Sequence, residues 1–192
     1  MAGGYWKQDV ERESRRSDLS TRSLSVHLRD YLQRKYPGVF WIVVVYDPIF
    51  GYDKHTLTGD GPNVYHLFRH YGHNIVVCRR IISELPHAPS NLRNTFFQLY
   101  YGYEGHQRHI SCGGQIYCHT TYTTEYDSHR TYDGTWRNLH NHGVYPTMLL
   151  IITSNQGSIS LSDSRQQHQS VYNQYMVDTH MSRGNAYAVL VI

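Results

Sequence analysis

Histidine and tyrosine are the residues of this chain best equipped for chemistry, and they are unevenly spread. The 192 residues include 14 His and 18 Tyr. Between His106 and His142 the spacing becomes regular: His109, His119 and His129 recur at ten-residue steps. A step of that length suits a short strand plus a turn, so the pattern predicts consecutive β-strands holding His and Tyr at matching heights on one face. Two aromatic–carboxylate pairs follow, Tyr126-Asp127 and Tyr132-Asp133, with Gly134-Thr135-Trp136 after the second. In a strand, Tyr122, Thr124 and Tyr126 would share one face and Thr121, Thr123 and Glu125 the other. Neither face is aliphatic, which suits a recognition surface better than a two-sided core.

That surface combines aromatic planes, fixed acceptors and groups that both donate and accept. A neutral sugar asks for the same parts, because its C–H faces lie on rings while its hydroxyls pair with planar polar groups. The candidate ligand-binding set is His119, Tyr122, Tyr126, Asp127, His129, Tyr132, Asp133, Trp136 and His140. It predicts a non-catalytic, lectin-like carbohydrate-binding domain whose partner is a neutral glycan or another polar neutral ligand. The same residues also suit an ordinary half-buried sheet face whose polar groups bond to one another.

Other chemistries fit less of the pattern. His-x-Ser/Thr at His109, His119, His129 and His168 resembles the motif of the paired-histidine phosphoesterases, in which one His acts as base and the other as acid. The resemblance implies, as an alternative, a His-dependent hydrolase working through His119 and His129. Three of these copies lie ten residues apart, whereas that family keeps two far apart. A further alternative is a self-assembling structural protein joined through its Tyr/His surfaces. His66, His70 and His73 have helical spacing and His140-Asn141-His142 strand spacing for a metal, yet neither set has a companion acid, and Leu67 breaks the His-Glu-x-x-His pattern. No Gly-x-Ser-x-Gly elbow, phosphate-cradling loop or dinucleotide fingerprint occurs. The reading therefore assigns no catalytic residue, metal or cofactor and leans away from an enzyme. Cys78 lies in an apolar run and reads as core, whereas Cys112 and Cys118 bracket a glycine turn that suits either a hairpin disulfide or two thiols.

The rest of the chain must position that segment. Charged residues make up only 17% of it, with 18 Lys+Arg against 15 Asp+Glu, so its low mean hydropathy of −0.57 comes from neutral polar groups. Low charge with many aromatics excludes global disorder. The basic residues from Arg12 to Lys35 interleave with Glu11, Glu13, Asp18 and Asp30, as on a solvated helix face, which argues against nucleic-acid binding. No apolar run reaches the roughly 18 residues of a membrane span. With no apolar leader at its start, the sequence reads as cytoplasmic or secreted without a leader.

Residues 1–17 read as a polar N-terminal arm and 18–192 as a single α+β domain. Asp18 or Ser20 can cap a helix carrying Leu24, Leu28, Tyr31 and Leu32 on one stripe, and Pro37-Gly38 ends it. Val39–Tyr46 predicts a strand buried on both faces, Asn74–Cys78 a second, and Met148–Ile152 and Ala188–Ile192 two more. The last run predicts insertion in a sheet or a subunit contact, and in the second case, together with the Tyr/His surfaces, a homo-oligomer. Tyr65–Tyr71 suits a short helix or a strand, Leu92–Tyr100 leans to strand, and Gln166–Asp178 suggests a second helix through Val171 and Tyr175. The sum is an α+β fold with a mixed or mainly antiparallel sheet, two helices and a long β-rich polar segment.

Overall fold

The computed structural model describes residues 5–16, 18–47, 54–58, 62–68, 72–81, 108–110, 116–124, 136–137, 139–154, 156–165, 168–174 and 183–191. Among the described residues the elements in chain order are helices α1 (Tyr5–Ser14) and α2 (Thr21–Lys35), then strands β1 (Val39–Tyr46), β2 (Lys54–Thr58), β3 (Val64–Leu67), β4 (Asn74–Ile81), β5 (Arg108–Ile110), β6 (Ile116–Thr124), β7 (Met148–Ser154), β8 (Gln156–Asp163), β9 (His168–Gln174) and β10 (Arg183–Val191). A third, short helical segment covers residues 136–137 and 139–141. The fold is α+β. The chain forms two compact units. The first comprises Met1–Pro48, Asp60–Leu85 and Gly157–Asn173; the second comprises Ile49–Gly59, Pro86–Gln156 and Gln174–Ile192.

In the first unit the strand order is β3-β4-β1-β8-β9, and β1 runs antiparallel to both β4 and β8. All eight residues of β1 are buried, which explains its unbroken apolar sequence. Trp41, Val43 and Val45 face the helices together with Ile75 and Val77, packing against Leu24, Leu28 and Leu32 of α2 and Trp6 and Val10 of α1. Alternate residues Ile42, Val44, Tyr46, Val76, Cys78, Ile159 and Leu161 are buried as well. Ser20 caps α2, its hydroxyl accepting from the Ser23 amide at 3.2 Å. Beyond the helix, Gly38 takes the turn at φ 84°, a backbone state costly to any residue with a Cβ.

Within residues 1–17, which the sequence reads as a polar arm, Tyr5–Ser14 is helical. Its inward stripe is Trp6, Asp9, Val10 and Ser14, spaced i, i+3, i+4, i+8, so half of a true amphipathic face is polar. Asp9 tolerates burial because Lys35 Nζ lies 2.9 Å and Arg12 Nη2 3.0 Å from its carboxylate, and the Tyr36 hydroxyl donates to it as well. The suggested helix at Gln166–Asp178 is corrected: its residues 168–174 form strand β9. One apolar pair at i, i+4 was too little to specify a helix against pairing with a neighbouring strand. The ambiguous segment after Tyr65 resolves in part, with Val64–Leu67 forming strand β3 against β4. Leu92–Tyr100 lies outside the described residues.

The second unit has the strand order β2-β7-β10-β6-β5, antiparallel at every pairing. The apolar run near residue 190 is the middle strand, between β7 and β6, with Val189 and Val191 fully buried beside buried Met148, Leu149 and Leu150. Strands β5 and β6 carry part of the ten-residue step, and their register sets His109 directly opposite His119.

Candidate functional site

The short helical segment in the second unit holds two residues of the predicted surface, Trp136 and His140. Trp136 and His140 are one helical turn apart, a spacing that brings side chains together. Their ring centroids are 4.7 Å apart at an interplanar angle of 54°. The helix then ends in a Schellman motif, with the Val144 amide donating to Leu139 O at 2.8 Å and the Gly143 amide to His140 O at 3.0 Å. Gly143 sits at φ 73°, as the motif's left-handed position requires. Leu139 and Val144 are both buried, the apolar pair that accompanies this ending.

Reversing the chain there returns a third ring to the helix. Tyr145 lies 5.2 Å from His140 at 43° and is 72% exposed, while Trp136 and His140 are half-buried. Two residues on, the Thr147 amide donates to Val191 O at 2.7 Å, tying the turn to the central strand. The outcome is a staircase of rings, Trp136–His140–Tyr145, fixed by a helix at one end and a sheet at the other. Arg137 and Asn141 are exposed on the same segment.

The structure brings together two of the nine predicted residues, Trp136 and His140. His119 and Tyr122 lie on β6, opposite Ala188 and Asn185 of β10. Tyr126, Asp127, His129, Tyr132 and Asp133 lie outside the described residues, as does Cys112. Sequence reasoning missed Tyr145; the signal available for it was Gly143 followed by Pro146, a helix stop that redirects the chain. The metal patterns do not keep their assumed geometry: His66 is on a strand and His140 on a helix. Among the described residues no group of three or more His, Cys, Asp or Glu is arranged to hold a metal ion.

The first unit has its own polar features. The Ser25 hydroxyl on α2 donates to Arg22 O and sits 2.7 and 2.9 Å from the hydroxyls of Ser160 and Ser162, so a polar stripe of β8 is satisfied against the helix. Cys78 is fully buried, and burial pushes its thiol up to about 12, which removes it as a nucleophile at neutral pH. A cleft of about 540 Å³ is lined by Lys35, Tyr36, Pro37, Gly38, Val39, Arg79 and Ile81. Those residues include two cations but no carboxylate, imidazole or thiol, so they supply no acid–base pair of the usual kind.

No protein-family model, curated protein or solved structure matches the chain. No helix among the described residues is long and apolar enough to cross a membrane.

Proposed function

We propose that the chain is a non-catalytic recognition protein that binds neutral carbohydrate on the Trp136–His140–Tyr145 staircase. The observation that carries this reading is the 72% exposure of Tyr145 at the end of a run of rings in contact. Exposed aromatic faces anchored by fixed backbone suit the C–H faces of a sugar, and rigid rings lose little conformational entropy on binding. Asp127, Asp133, His119, His129, Tyr122, Tyr126 and Tyr132 are the hydroxyl partners in this reading. Self-association into a homo-oligomer would raise the affinity of a shallow site by avidity.

Fluorescence tests it cleanly because the other two tryptophans, Trp6 and Trp41, are 1% and 0% exposed. Saccharide binding should protect Trp136 from acrylamide quenching, and Trp136→Phe should abolish the response while the fold persists. A blank glycan array across neutral sugars would overturn the reading. The register of His109 with His119 is the one observation favouring hydrolysis instead. Turnover of a cyclic phosphate that His119→Ala abolishes would replace binding as the function.

A further inference from the structure

Independently of the carbohydrate reading, we infer that His109 and His119 together bind a divalent transition-metal ion, which staples the edge strand β5 to its sheet. The two residues are partners in the antiparallel register of β5 with β6. Residues directly opposite each other stand on the same face of a sheet, with Cβ atoms about 4.5–5.5 Å apart. Two imidazole nitrogens on one tetrahedral ion are roughly 3 Å apart, given metal–nitrogen bonds of about 2.0–2.1 Å. Rotation about χ1 and χ2 spans that difference, so this register sets the pair within chelating reach of a single ion.

The two strands follow one another in sequence, so a short connection brings both ligands together at a small loop-closure cost. Across the sheet the same row runs from His119 to Ala188, Ile151 and Thr56, which offers the ion no carboxylate, thiolate or further imidazole. The site is therefore an open one, with water in its remaining positions. Imidazole suits zinc, nickel and copper(II), and the ordinary order of affinities puts copper(II) first. Among the described strands β5 lies at the edge of its sheet and is three residues long. An ion bridging it to β6 adds a cross-link to the few ladder hydrogen bonds so short a strand can make.

The test uses the full chain and the metal alone: calorimetry with Zn²⁺, Ni²⁺ and Cu²⁺ in turn, and amide hydrogen exchange with and without Zn²⁺. The wild type should bind one ion per chain, Cu²⁺ tightest. His109→Gln and His119→Gln should each weaken binding by about 100-fold, the loss expected when a two-point attachment becomes one-point, and the double variant should lose little more. His140→Gln should bind as the wild type does. Zn²⁺ should slow exchange across β5 and β6 in the wild type and in neither single variant. No binding by the wild type overturns the site, and equal affinity in the wild type and both single variants marks an adventitious ion only and overturns it as well. Should a Gln variant fail to fold by circular dichroism, exchange in the wild type decides: protection of β5 and β6 by Zn²⁺ upholds the staple, and unchanged exchange overturns it.

Discussion

Replacing Trp6 with alanine separates a docked first helix from a loose polar arm. Trp6 is 1% exposed. Its ring lies 5.2 Å from Trp41 and 6.1 Å from Tyr65, with the Arg79 guanidinium 5.4 Å away over its face. A Trp side chain buries 150–250 Å², worth roughly 4–6 kcal/mol as an upper bound at about 25 cal/mol per Å². Large-to-small replacements of this kind lose about 3–5 kcal/mol. An exposed arm residue would change stability by no more than about 0.5 kcal/mol. Urea unfolding of Trp6→Ala, followed by far-UV circular dichroism, should therefore shift by at least about 3 kcal/mol, a large share of a domain's total. If the two units unfold separately, the shift belongs to one transition and leaves the other in place. Gln8→Ala on the exposed face is the control and should stay within about 0.5 kcal/mol. A loss below about 1 kcal/mol for Trp6→Ala, or equal effects at both positions, would refute the docking of α1.

Two further perturbations probe the polar side of that docking and the turn beneath the rings. Burial, the largest influence on Asp9, opposes its ionisation, but hydrogen bonds from Tyr36 and Lys35 and the charges of Lys35 and Arg12 outweigh it and hold the carboxyl below its usual range. Because the folded value lies below the unfolded one, the stabilisation is complete above about pH 4 and disappears as pH falls through the lower folded value. Urea midpoints between pH 2 and 7 should drop more steeply at the acid end for the wild type than for Asp9→Asn; parallel curves would sink the assignment. At Gly143 an added Cβ meets nothing within 4 Å, so Gly143→Ala pays only for the left-handed backbone, about 1–2 kcal/mol. Gly143→Asn should lose less, and thermal unfolding that ranks the two the other way would contradict the Schellman ending.

What was legible in the sequence was whatever one element could announce alone. Leu24, Leu28 and Leu32 mark a helix face, Ser20 its start and Pro37-Gly38 its end, and β1 is too uniformly apolar to be anything but a core strand. Helix α1 was hidden because Asp9 stands on its buried stripe, and the residues that make its burial tolerable, Lys35 and Tyr36, are distant in sequence. Strand β9 was misread because its partners, unlike its residues, decide its conformation. At the candidate site, Trp136 and His140 were visible as composition. Tyr145 was not, since only the reversal at Gly143 returns its ring to His140. The ten-residue step had real content in one instance, the register of His109 with His119.

Strand β10 sets the order in which the second unit can be completed. Among the described strands it is the last in sequence, yet it lies in the middle of its sheet. Until it arrives, β7 and β6 have no common neighbour, and each presents an unpaired edge that can capture another chain. Pairings over such sequence distances are slow to form.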